Sequence, residues 1–235
     1  MSTETISAQW QSLNHDITTC RACPRLVAWR EQVAREKRRA YRDSDYWGRP
    51  VPGFGDRRAR LLVIGLAPGA HGANRTGRVF TGDGSGDFLY EALYEAGFAS
   101  QPTSRHQDDG MVLTDAFITA AGRCAPPANR PTADELNTCR PFLARELQLM
   151  PQIEVIVTLG LVAFDSCRRV LGELGYKFPR LKFGHALHYP PAMTHPQLPH
   201  ILTCYHPSRQ NTNTGRLTQT MLNEVFKQAR SLLSS

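Results

Sequence analysis

Arg60-Leu-Leu-Val-Ile-Gly65-Leu-Ala67 is the stretch that decides the fold. An unbroken apolar run before a glycine describes a strand buried on both faces, as in a sheet covered by helices on each side. A glycine-rich loop, residues 67–86, leaves it, and a helix is expected over about 88–96. Outward from here the alternation repeats. Residues 111–120 read as a strand. Residues 132–149 read as a helix opened by Thr132 with Glu135 three positions on, the signature of a capping box. A strand over 153–159, a helix over 161–171, a strand over 200–205 and a helix over 217–233 follow. Strands separated by helices predict an α/β domain with a parallel sheet covered on both faces.

On the N-terminal side, residues 3–42 read as helical with one interruption at Cys20-Arg-Ala-Cys23-Pro24. From Arg30 onward that helix carries Arg35, Lys37, Arg38, Arg39 and Arg42, a run that suits a solvated face or, alternatively, a stripe turned to phosphates. Residues 46–56, with Gly48, Pro50, Pro52, Gly53 and Gly55, read as a connection, and residues 184–199 as an irregular His- and Pro-rich surface loop. The chain has 235 residues, 28 basic against 21 acidic, for a net charge of +7. That excess favours a polyanionic partner through counterion release, although charge for solubility alone would look the same. Arginine greatly outnumbers lysine, which suits forked contacts to phosphate. No apolar run approaches the roughly 20 residues of a membrane span, and no leader is evident, so a cytoplasmic, nucleoid-associated monomer is expected.

In open α/β sheets the working residues lie on loops leaving the carboxyl ends of the strands. That rule selects residues 67–86, 122–131 and 206–215. In the first loop Phe80 is a lone aromatic placed to stack on a flat ring. Asp83, between Gly82 and Gly84, is a short carboxylate whose bland alternative is a helix N-cap. In the last loop His206, followed by a proline, can donate to a leaving oxyanion, and Ser208, Arg209, Thr212 and Arg216 suit phosphate. Of six cysteines, Cys20 and Cys23 form a C-x2-C pair, and Cys124 and Cys139 flank a Pro-rich loop-to-helix transition. Four thiolates of this kind suit zinc or an iron–sulfur group, and the spacing leaves the choice open; simple packing is the alternative for the second pair. Cys167 and Cys204 read as core.

Taken together, Gly65-Leu-Ala-Pro-Gly through Arg75-Thr-Gly-Arg, Phe80-Thr-Gly-Asp83, Arg123-Cys-Ala-Pro-Pro-Ala-Asn-Arg-Pro-Thr132 and His206-Pro-Ser-Arg-Gln-Asn-Thr-Asn-Thr-Gly-Arg-Leu-Thr218 resemble the uracil-DNA glycosylase superfamily. The resemblance is to its type-5, iron–sulfur, broad-specificity branch. It implies one domain over 1–235, a three-layer α/β/α sandwich with a four-stranded parallel sheet, and an N-terminal helical segment 1–45 tied on by the cluster. It implies a [4Fe–4S] cluster held by Cys20, Cys23, Cys124 and Cys139. It implies hydrolysis of the N-glycosidic bond of uracil, hypoxanthine, xanthine and etheno-cytosine in DNA, initiating base excision repair. Asp83 would position the water. Phe80 would stack on the flipped base, while backbone amides at Ala67, Gly69 and Ala70, with Asn129, orient it. His206 would donate to the base oxygen, Asn211 would hold that loop or touch substrate, and Ser208, Arg209 and Arg216 would grip the DNA. Ala67 stands where the best-known branch has a water-activating Asp, so the resemblance implies that the working carboxylate comes from Asp83 instead. Ala120 stands where the type-4 branch has a uracil-reading Asn, and loss of that amide predicts relaxed base selectivity. The competing readings are a metal-stabilised, non-enzymatic nucleic-acid-binding module and a redox protein.

Overall fold

The computed structural model describes residues 3–233; the first two and last two residues of the expected 1–235 domain lie outside the described part. Helices α1 (Thr3–Thr19) and α2 (Pro24–Glu36) lead through a two-residue strand β1 (Phe54–Gly55) into β2 (Leu61–Gly65). The short helix α3 (Ala73–Thr76) and α4 (Gly84–Glu95) come next, then β3 (Ala116–Ala120), α5 (Ala133–Leu149), β4 (Val155–Leu159) and α6 (Leu161–Glu173). Strands β5 (Leu187–Tyr189) and β6 (His200–Cys204) precede α7 (Arg209–Asn213) and α8 (Gln219–Leu232).

The strands form one six-stranded sheet in the order β1-β3-β2-β4-β6-β5. Its centre, β3-β2-β4-β6, is parallel, which is the expected four-stranded sheet. The two edges are antiparallel additions and correct that expectation. β1 lies inside the Gly- and Pro-rich stretch 46–56 read as a plain connection, and β5 inside the segment 184–199 read as an irregular loop. At two and three residues they are too short for a period of two to be visible.

All five residues of β2 are buried, and alternate ones serve opposite layers. Leu61 and Val63 pack with Leu89, Leu93, Val225 and Phe226 of α4 and α8. Leu62 and Ile64 pack with Trp10, Leu143 and Phe164 of α1, α5 and α6. Each such side chain contributes about 1.5–3 kcal/mol on burial. Both faces being dry is why the strand reads as a continuous apolar run.

Three boundaries differ from expectation for local reasons. The second strand begins only at Ala116, because Asp115 just before it takes a left-handed φ of 56°. The helix after the glycine-rich loop starts at Gly84, four residues early, because Asp83 caps it. The N-terminal helix stops at Glu36, followed by Lys37 at φ 52°, and Arg30 is not on a solvated face but 2% exposed, on a buried stripe with Leu26, Val27 and Val33.

Parallel register sets Gly65 beside Ala120, and Leu159 beside Cys204. The ends of β2, β3, β4 and β6 are therefore brought to one edge of the sheet, and the loops that follow them start there.

Candidate active site and a four-cysteine pocket

Asp83 accepts hydrogen bonds at Oδ1 from the backbone N–H groups of Ser85 (3.1 Å) and Gly86 (3.0 Å). It is thus the N-cap of α4, the bland role its sequence setting allowed. Only one oxygen is used this way; Oδ2 accepts no hydrogen bond among the described residues. It lies against the loop: a Cβ on Gly69 would stand 2.7 Å from Oδ2, and one on Gly72 only 2.0 Å. Two glycines therefore let the loop close over the carboxylate. Burial pushes the pKa of Asp83 up, and the two backbone N–H groups pull it partly back.

Phe80 has a left-handed φ of 51°, a conformation that costs a bulky residue on the order of 1–3 kcal/mol. Its ring rests on the end of β2, where a Cβ on Gly65 would meet it at 2.6 Å, and its carbonyl lies where a Cβ on Gly86 would be, at 1.9 Å. The ring centroid is 6.0 Å from that of His206, tilted by 32°. His206 sits two residues past β6, and burial lowers its pKa to about 4, so the imidazole is neutral at neutral pH. Its carbonyl accepts from Asn211 Nδ2 and Ser208 N, both at 2.8 Å. Asn211 thereby holds the loop, one of the two roles expected of it.

Among the described residues no hydrogen bond engages the backbone N–H groups of Ala67, Gly69 and Ala70. The carbonyls of Gly69 and Ala70 do accept, from the backbone and the side-chain amide of Asn74, so the strip is fixed while its donors stay free. Arg75 ties the two ends of the loop, donating to His71 O (2.9 Å) and Gly82 O (3.0 Å). Ser208 uses its hydroxyl to cap α7. Arg209 and Arg216 are exposed. The guanidinium of Arg216 lies 4.6 Å over the ring of Tyr205, while Arg209 joins Asp83, Arg75, Tyr41 and Arg105 around an open cleft of about 680 Å³. Asn129 ends a 3-10 turn at φ 55° and is exposed. The structure brings together Asp83, Phe80, His206 and the 67–70 backbone, and places Asn129 on the loop that follows β3.

The four cysteines of the sequence pattern line one pocket, with Arg30, Arg123, Leu26 and Phe142 among its other walls. None is in a disulfide. Burial raises the thiol pKa values of Cys23 and Cys139, and that of Cys124 to about 12. One guanidinium group, that of Arg30, reaches these thiols. Arg30 Nη1 donates to Cys124 Sγ (2.9 Å) and Nη2 to Cys20 O (3.2 Å). Arg123, 1% exposed, donates to Glu146 Oε2 (2.6 Å), a carboxylate that Thr119 also reaches at 2.7 Å. Arg30 Nε and Arg123 Nε and Nη1 are buried without a partner among the described residues. Among the described residues no three His, Cys, Asp or Glu side chains converge as a single-ion site.

Sequence reasoning missed Arg30, Asn74 and Arg123. The available signal was an arginine at the i+4 and i+3 spacing between Leu26 and Val33, an apolar stripe on which a charge needs a buried partner. Cys167 and Cys204, read as core, are both buried.

Residues 52–230 match the family model described as the uracil DNA glycosylase superfamily. A protein of Thermus thermophilus named type-5 uracil-DNA glycosylase is 52% identical over 219 residues, covering 92% of this chain and 94% of the relative. The Mycobacterium tuberculosis protein of the same name is 51% identical, covering 94% of this chain and 80% of the relative. That of Pyrobaculum aerophilum is 42% identical over 91% of this chain and 88% of the relative. On this evidence the chain belongs to the uracil DNA glycosylase superfamily, in its type-5 branch.

Proposed function

We propose that the chain hydrolyses the N-glycosidic bond of uracil in DNA, and of the wider deaminated set, hypoxanthine and xanthine, with etheno-cytosine beside them. The observation that carries the reading is the free Oδ2 of Asp83, held under glycines at the same sheet edge as Phe80 and a neutral His206.

The nucleotide is flipped at an unpairing cost of a few kcal/mol, lowest for mispaired bases. Phe80 offers its ring to the base, and the free N–H groups of Ala67, Gly69 and Ala70 orient it, with Asn129 closing from the adjoining loop. As the C1′–N bond lengthens, negative charge gathers on the base oxygen, and neutral His206 donates a hydrogen bond there. Asp83 supports the cationic sugar and takes a proton from the water whose oxygen bonds to C1′; the base leaves with the electron pair of the broken bond. A carboxylate raised by burial is a better base for that proton than an ordinary one. Arg209, Arg216 and Ser208 contact the phosphates.

Cys20, Cys23, Cys124 and Cys139 would hold a [4Fe–4S] group. Two features support the fit: thiols set around a pocket rather than at a point, and buried guanidinium N–H groups left without an acceptor among the described residues. A single zinc would need all four sulfurs about 2.3 Å from one centre. Bound there, the group supplies a rigid anionic cross-link between the N-terminal helices and the loop after β3.

Excision tests the reading. Oligonucleotides carrying uracil, hypoxanthine, xanthine or etheno-cytosine are incubated with the protein and treated with alkali. Strand breaks at uracil are expected, with slower breaks at the others. Uracil-only cleavage would remove the broad specificity, and no cleavage at any base would leave the non-enzymatic binding module.

A further inference from the structure

The cysteine pocket and the glycine loop over Asp83 are separate in sequence, but one buried path connects them. Arg30 holds Cys124 Sγ and Cys20 O with its guanidinium, and its backbone carbonyl accepts from Asn74 Nδ2 at 3.2 Å. Asn74 is fully buried, between the pocket helix and the loop. Its side-chain amide also donates to Ala70 O (3.4 Å), its backbone N–H to Gly69 O (3.0 Å), and its carbonyl accepts from Gly48 N (3.0 Å). Gly69 and Gly72 are the residues lying against Asp83 Oδ2. No step in the chemistry above needs Arg30 or Asn74, yet a buried arginine and a buried asparagine are costly to keep.

We propose that Arg30 and Asn74 are positioning residues that make the order of the loop around Asp83 depend on occupancy of the cysteine pocket. This rests on the reading of that pocket as an iron–sulfur centre. With an anionic group in place, Arg30 is held by its charge, α2 is fixed, and the Arg30 carbonyl anchors Asn74 and, through it, Gly69 and Ala70. With the pocket stripped, the guanidinium keeps only a neutral thiol and the Cys20 carbonyl, a weaker hold that leaves α2 and the loop anchor freer to move. Coupling of this kind has to be measured between the two ends, since a chain of contacts by itself establishes none.

The test compares wild type and Asn74→Ala, each as isolated and after iron removal by a chelator, reading amide hydrogen exchange over residues 65–86. Stripping wild type is expected to speed exchange across the loop. Asn74→Ala, with visible absorbance equal to wild type, is expected to exchange fast already and to gain little more on stripping. Its single-turnover rate on uracil DNA should fall about tenfold with KM unchanged, the mark of a displaced catalytic group rather than lost binding. Should Asn74→Ala fold poorly, Asn74→Ser, which keeps a short donor, takes its place and is expected to fall between the two. A loop that ignores stripping in iron-loaded wild type overturns the proposal, as does strictly additive exchange in the variant. Wild-type protein without iron or visible absorbance would instead overturn the reading of the pocket on which it rests.

Discussion

The site around Asp83 and the pocket around Cys124 are both built from buried polar side chains, but they are completed differently. At Asp83 the chain's own backbone does the work: Ser85 and Gly86 satisfy one oxygen, Asn211 and Ser208 hold the carbonyl of His206, and glycines make room for what remains. At the cysteines the backbone leaves the account open, with four thiols around a buried pocket and guanidinium N–H groups without acceptors among the described residues. The first region is finished on folding; on the proposed reading the second is completed by the iron–sulfur group. The two should therefore fail in opposite ways when altered.

The sharpest contrast comes from Asp83→Asn. Asparagine caps helices about as well as aspartate, so the melting temperature should stay near wild type while the single-turnover rate falls about 10³-fold. Cys139→Ala should do the reverse in calorimetry and absorbance, bleaching the visible spectrum and costing about 4 kcal/mol, roughly 10 °C in Tm. Equal loss of stability in both variants would erase the distinction between the regions.

His206→Ala should cost about 10²-fold in rate through loss of one oxyanion donor. It should also change the pH response. Because burial lowers the folded pKa of His206 to about 4, the unfolded chain takes up that proton first, near pH 6.5. Stability contributed by the neutral ring is therefore complete at neutral pH and lost as pH falls from about 6.5 towards 4. Urea titrations of wild type should show that decline, and His206→Ala a shallower one. Activity should have its acid limb above the ordinary carboxylate range, since burial raises Asp83 and its ionised form is needed. Smallest is Arg216→Ala, which leaves both regions intact and should reduce the salt slope of DNA binding by about one, measured by fluorescence anisotropy.

What could be read in advance followed from pattern length. The central strands announce themselves because β2 and β4 are dry on both faces, and Thr132 with Glu135 forms the capping box that their spacing promised. Asp83, Phe80 and His206 were legible as polar or aromatic intruders in glycine- and proline-rich loops at strand ends. That they meet depends on sheet register and on left-handed φ values that no spacing encodes. The two edge strands hid in loops for want of length. Arg30 hid in a charge run that looked solvated, because its partners, Cys124 and Asn74, lie 94 and 44 positions away.

Two walls of the cysteine pocket belong to the first helices of the chain, while the other two come from either side of the loop that opens α5. At about 5–20 residues per second, Cys139 leaves the ribosome roughly 6–23 s after Cys23. Throughout that interval Cys20 and Cys23 are bare thiols on a nascent segment with nothing to close against. The N-terminal helices are thus made first and locked last, and the thiol chemistry of the surrounding medium has its chance at them before the fold does.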